Sequence, residues 1–203
     1  MNVSTAYPTL VMACSMIACA PFTSMPAPEH YSIERQSEIG LVGGGGAEIN
    51  LHQLGVSDAY IFEQGYFSYR LNKKHMLGLK VQHLPNVFNG GVFYRYAIKN
   101  DEKSYQGIDV DLGIYYLKTS YMMAWRQDHS QFYFSPSVML HPYGDEIVSP
   151  TIMLPLGYTM WVDERFTVNI EGGTGVFQDP QTSFFDGYFS GAAYLSLGLS
   201  SRF

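Results

Sequence analysis

The sequence predicts an all-β chain: a closed, antiparallel, up-and-down transmembrane β-barrel of eight to ten strands. Three observations predict it. Apolar and polar residues alternate with period two over most of the chain after residue 37, and no segment there sustains a 3.6-residue apolar period. The composition suits strands, tight turns and amphipathic rings: 16 Tyr, 13 Phe and 20 Gly, with only 15% charged residues against a usual ~25%. The last sixteen residues, YFSGAAYLSLGLSSRF, set Leu195, Leu197 and Leu199 on one face and Ser196, Gly198 and Ser200 on the other, and end on Phe203 in phase with the leucines. A strand that stays apolar to its end suits a barrel in lipid, where only closure leaves no unpaired backbone edge.

At 203 residues the chain has the length of one domain. Its net charge is −6, and no basic run exceeds Lys73-Lys74, so a nucleic-acid partner is excluded. The apolar runs fall far short of the ~20 residues that a membrane helix needs. A mean hydropathy of −0.05 fits a barrel, whose two faces cancel in any average. Both cysteines, Cys14 and Cys19, lie in the first nineteen residues, so the body of the chain has neither thiol chemistry nor thiolate ligands.

Residues 1–20 carry no charge and hold an apolar stretch from Leu10 to Ala20, which predicts a signal peptide. Met16-Ile17-Ala18-Cys19 resembles the lipobox of bacterial lipoproteins, which implies lipidation at Cys19. Val11-Met12-Ala13-Cys14 is a weaker match with too short an apolar core, and cleavage after Ala18-Cys19-Ala20 is the rival reading. The n-region departs from the usual pattern in having no Lys or Arg. Residues 21–37, with Pro21, Pro26 and Pro28, read as an extended tether, and 38–203 as the barrel.

The strands follow from the alternation. Ile39–Asn50 is a Gly-rich first strand, and Asp58–Leu71 is dense in Tyr and Phe. Met76–Leu84 sets Leu77, Leu79 and Val81 against Lys80 and Gln82. Val92–Lys99 sets Val92, Tyr94, Tyr96 and Ile98 against Phe93, Arg95, Ala97 and Lys99. Gly107–Leu117 sets Ile108, Val110, Leu112 and Ile114 against Asp109, Asp111 and Gly113. Residues Lys118–Trp125 either extend that strand, giving nine, or return as their own, giving ten. Gln131–His141, Thr151–Val162, Arg165–Phe177 and Tyr188–Phe203 complete the set. Pro136 and Pro155 each demand a bulge or a strand end in a barrel with no free edge. Residues 72–75, 126–130 and 163–164 are short polar connections, whereas 51–57, 141–148 and 178–187 are longer, an asymmetry that membrane barrels share.

The apolar face points to lipid in a membrane barrel and inward in a soluble one. The C-terminal strand, the export signal and the Tyr-rich strand ends favour lipid. The polar face then forms a lumen charge network of Lys80, Arg95, Lys99, Asp109, Asp111 and Glu171. On these residues the chain resembles small bacterial outer-membrane β-barrel proteins of the OmpA/OmpW-like kind. The resemblance is carried by Leu195, Leu197, Leu199 and Phe203, by Tyr66, Tyr69, Tyr94, Tyr96, Tyr158 and Trp161 as an aromatic girdle, and by the alternating connections. It implies location in the bacterial outer membrane, with lipid and the barrel-assembly machinery as partners and the terminal strand as the assembly signal. Ser201 departs from the apolar or aromatic residue usual at its place.

No residues are assigned to catalysis, a metal or a cofactor. Asp128-His129-Ser130 is the one triad-like run, but adjacent residues in a turn point apart, whereas triad members converge in space. The six histidines show no ligand spacing. Gly43–Gly46 lacks the Lys-Ser/Thr of a phosphate loop. The expected function is a non-enzymatic outer-membrane barrel with a structural, adhesive or narrow-conduit role. The alternatives are a soluble lipocalin-like barrel holding an apolar ligand and a lipid-modifying outer-membrane enzyme.

Overall fold

The computed structural model describes residues 37–50, 55–84, 87–114, 116–143, 147–178 and 189–203. The segments expected as signal peptide and tether, up to residue 36 and with Cys14 and Cys19, lie outside the described residues. The strands are β1 (Ser37–Asn50), β2 (Gly55–Arg70), β3 (His75–Leu84), β4 (Val87–Asn100), β5 (Ser104–Gly113), β6 (Tyr116–Gln127), β7 (Ser130–Phe134), β8 (Ser137–Tyr143), β9 (Ile147–Trp161), β10 (Phe166–Gln178) and β11 (Phe189–Arg202). Neighbours pair antiparallel in chain order, save that β7 and β8 both lie between β6 and β9, and β11 pairs with β1, which closes the barrel.

β7 and β8 together form one stave, so the barrel has ten. Phe134 pairs with Leu156 and Met123, and Ser137 with Met153 and Ser120, which keeps one register across the gap on both sides. Pro136 falls in the gap between β7 and β8, a strand end as expected from sequence, whereas Pro155 lies within β9 with neither a bulge nor an end, contrary to that expectation. In an antiparallel ladder a residue's N–H and C=O point to the same neighbour. The carbonyl of Pro136 accepts from Tyr121 N and that of Pro155 accepts from Ser135 N. Each proline thus withholds one donor and keeps its acceptor bond.

Lys118–Trp125 belongs to a strand of its own. Its boundary lies before Tyr116, which moves Leu117 out of the preceding strand. The outward residues switch from even numbers in β5 (Ile108, Val110, Leu112) to odd numbers in β6 (Leu117, Tyr121, Trp125). A single strand cannot make that switch without a bulge.

Three of the turns at the end that holds Ser37 and Phe203 share one device. Asn72 Oδ1 accepts from the N–H groups of Lys74 and His75 at 2.8 and 3.1 Å. Asp101 Oδ1 does the same for Lys103 and Ser104, at 3.0 and 2.8 Å, and Asp163 Oδ1 for Arg165 and Phe166, at 2.6 and 2.7 Å. A short side-chain acceptor placed first in the turn caps donors that the ladder leaves over. Lys99, Ser104 and Lys103 all donate to Asp101, which lowers its pKa to about 2, the Lys99 bond contributing most.

The two faces are of opposite chemistry. Leu41, Ile61, Leu79, Leu112, Ile152, Leu195, Leu197 and Leu199 are exposed on the outside, while Glu38, Lys80, Arg95, Asp109, Asp111, Lys118, Glu171 and Arg202 are buried inside. An apolar exterior with a polar, ion-paired interior is the inverse of a soluble barrel, so this is a transmembrane barrel and not a lipocalin-like one.

Large aromatics fill the lumen, and six of them lie against a glycine directly across the ladder. The pairs are Tyr66 with Gly40, Phe62 with Gly44, Phe93 with Gly78, Tyr116 with Gly113, Tyr133 with Gly157 and Tyr194 with Gly173. A Cβ at Gly157 would fall 2.0 Å from the Tyr133 ring, whereas one at Gly43, on the outer face, would meet nothing. Gly157→Ala is therefore expected to destabilise the barrel by about 1–3 kcal/mol. Gly43→Ala should stay within about 0.5 kcal/mol of the parent. Urea unfolding in lipid vesicles measures both. Equal stabilities would contradict the packing described.

Candidate functional site

The lumen is where the chain concentrates its chemistry. Inward positions on neighbouring strands share a level, so residues distant in sequence meet there. At the end that holds the chain's described termini, Arg202 Nε donates to Glu38 Oε2 at 2.8 Å, and Tyr66 OH donates to Glu38 Oε1 at 2.7 Å. Deeper in, the Arg95 guanidinium holds Asp109 in a two-pronged pair, Nε to Oδ1 at 2.8 Å and Nη2 to Oδ2 at 3.0 Å. This fork-to-carboxylate geometry is the strongest ion pair that side chains offer.

Asp111 is the next centre. Lys80 Nζ pairs with it, Tyr116 OH donates to it at 3.1 Å, and Lys118 is its register partner on β6. The Lys80 ammonium also lies 5.2 Å from the centre of the Tyr116 ring, within reach of a cation–π attraction. Glu171 is the fourth centre. Its oxygens accept from Tyr133 OH at 2.7 Å and Tyr194 OH at 2.8 Å. Asn169 donates to Tyr133 OH at 3.0 Å and accepts from Thr159 Oγ1 at 3.0 Å. Arg126 Nη1 reaches Asn100 Oδ1 at 2.8 Å, with its guanidinium 5.7 Å from the Tyr105 ring centre.

Five of the six residues expected in the lumen are placed there: Lys80, Arg95, Asp109, Asp111 and Glu171. Lys99 is not. A bulge between Ala97 and Lys99 inserts Ile98 into β4, and Lys99 turns out to solvent, 52% exposed, to pair with Asp101 at 3.0 Å. The girdle also needs correction. Tyr69 and Tyr158 are exposed on the outer face, but Tyr66 and Trp161 are buried inward. Sequence reasoning missed Glu38, Lys118, Arg126 and Arg202 in the lumen. Their signal was parity: Lys118 and Arg126 alternate with Leu117, Tyr121 and Trp125. The terminal-strand residues Leu195, Leu197, Leu199 and Phe203 are all exposed on the outside.

Asp128-His129-Ser130 does not assemble. Asp128 and His129 are exposed in the turn, while Ser130 is buried. Among the described residues no three His, Cys, Asp or Glu side chains are grouped to hold a metal.

No family model and no curated protein matches the sequence. Solved structures match through the fold. The NanC porin superposes with a TM-score of 0.53 at 10% identity, over 80% of this chain and 100% of that one. The outer membrane protease OmpT from Escherichia coli gives 0.44 at 8% identity, over 87% and 99%. The attachment invasion locus protein Ail of Yersinia pestis gives 0.39 at 10%, over 84% and 99%. The fold is that of bacterial outer-membrane β-barrels, and the apolar exterior fits the outer membrane, where such barrels reside.

Breaking one partner of a buried pair leaves an uncompensated charge. Asp109→Asn is expected to destabilise the barrel by about 3–5 kcal/mol, and Arg95→Met combined with Asp109→Leu to recover most of that loss. Urea titrations of the three variants, followed by Trp fluorescence, check this. A double variant no more stable than Asp109→Asn would refute it.

Proposed function

We propose that the chain is a non-enzymatic scaffold of the bacterial outer membrane, a closed plug that fixes its connecting segments at a membrane surface and conducts no solute. One observation carries this reading: the lumen is filled. Phe62, Phe93, Lys118, Met122, Gln131, Tyr133, Met139, Met153 and Thr159 are all less than 2% exposed. Side chains lining a water-wide passage would keep surface in contact with that water. The ion pairs cross the same space, so among the described residues the filling is made by the wall's own side chains.

The lumen carboxylates are engaged by Arg, Lys and Tyr, which fits a structural role for them. Under this reading lipid is the barrel's solvent, and the assembly machinery reads the outward Leu195, Leu197, Leu199 and Phe203.

Purified protein in planar bilayers is expected to show no unitary conductance. Tyr133→Ala with Phe93→Ala, which empties two lumen positions, is expected to produce ion-conducting events. Steady single-channel currents from the parent protein would overturn the proposal in favour of a narrow conduit.

A further inference from the structure

We propose that the mouth of the lumen at the end that holds Ser37 and Phe203 is a binding site for phosphate, free or carried by a lipid headgroup. A cavity of about 20 Å³, open to solvent, lies there between the 72–75 turn, β4 and β5. One water needs about 10–15 Å³ of such space, so the cavity admits one or two oxygen atoms and leaves the rest of a ligand outside. Arg70, Lys73, Lys74, His75 and Arg95 line it, and among the described residues no Asp or Glu does. Apart from Lys80, Arg95 and Lys118 deeper in the lumen, every Lys and Arg after residue 37 lies at this end. Outer-membrane barrels turn their short connections to the periplasm, so this basic rim stands level with the phosphates of the periplasmic leaflet.

Tyr105, which also lines the cavity, is the residue that points to a ligand. It is 2% exposed, and among the described residues its hydroxyl has no hydrogen-bond partner. Tyr66, Tyr116, Tyr133 and Tyr194 by contrast each donate to a carboxylate. A buried hydroxyl left unused is costly, and an acceptor entering the cavity removes that cost. A Cβ at Gly107 would fall 2.2 Å from the Tyr105 hydroxyl oxygen, so glycine there keeps the place of the hydroxyl clear. The surroundings select an anion. The Arg126 guanidinium lies 5.7 Å from the Tyr105 ring centre, Arg95, Arg126 and Arg70 all bear on the hydroxyl, and Arg202 repels Arg70. The carboxylate within range, Asp109, has both oxygens engaged by Arg95. Donors thus converge from β2, the 72–75 turn and β5. A tetrahedral phosphate offers oxygens in all these directions, whereas a carboxylate offers them in one plane.

The test is calorimetric titration of the full chain in maltoside micelles, with inorganic phosphate as one probe and dioctanoyl phosphatidylglycerol as the other. Sodium chloride holds the ionic strength constant, and heat-modifiable gel migration reports folding of every variant. Tyr105→Phe, which removes the hydroxyl and keeps the ring, should weaken binding by about tenfold, and so should Arg70→Gln. Lys103→Gln, which removes a cation of the same rim outside the cavity, should change affinity by no more than about twofold. If Arg70→Gln fails to fold, Lys73→Gln combined with Lys74→Gln replaces it, with the same direction expected. Tyr105-dependent binding of the lipid, or its displacement of inorganic phosphate, assigns the headgroup as the source. Tyr105-dependent binding of inorganic phosphate alone assigns the free anion, and either result sustains the proposal. Binding of neither probe overturns it, as does binding that is indifferent to Tyr105→Phe and to the basic variants.

Discussion

Everything in this barrel depends on one constraint: the polar side chains have no water to turn to. Lipid lies outside and a closed lumen lies within, so each buried charge must find its counterpart on the same wall. Among the described residues the lumen buries Glu38, Asp109, Asp111 and Glu171 against Lys80, Arg95, Lys118, Arg126 and Arg202. Near-neutrality is a condition of folding here, because an unmatched ion in such surroundings costs several kcal/mol. Tyr hydroxyls extend the set, since Tyr66, Tyr116, Tyr133 and Tyr194 all donate to carboxylates that the cations alone do not saturate.

The same tyrosines explain the glycines. A ring that reaches across the lumen to a carboxylate must lie flat over the neighbouring strand, and a side chain at the facing position would lift it away. Tyr133 over Gly157 and Tyr194 over Gly173 converge on Glu171 in this way from opposite sides. Glycine placement, aromatic filling and charge pairing are therefore one arrangement, and the register of the ladders holds it together.

Much of this was legible in the sequence, and the rest was hidden for physical reasons. Alternation exposed the staves because one face meets lipid, so Leu77, Leu79 and Val81 could be told from Lys80 without a structure. The reversal before Tyr116 carries no proline and interrupts no apolar run; only the change of parity between Leu112 and Leu117 marks it. Lys99 was misplaced because a bulge at Ile98 has no compositional signature. Tyr66 and Trp161 were drawn into the girdle by residue type, although their parity sets them with the lumen. Glu38 and Arg202 were invisible as a pair because no local pattern links residues 164 positions apart.

That last pair spans the seam between β1 and β11, where Ser37 and Phe203 also exchange backbone hydrogen bonds at 3.2 and 3.0 Å. Other hairpin joints within the barrel close connections of ten residues or fewer; this one closes nearly the whole barrel. Because loop-closure entropy grows with the logarithm of loop length, the seam costs about 3 kcal/mol more to form than a hairpin of a few residues. The Glu38–Arg202 bridge sits at the contact of longest range. It acts as a clasp, gaining its full strength only after the hairpins have brought the two edges together and rewarding closure at the moment when a half-formed sheet would otherwise leave both edges bare.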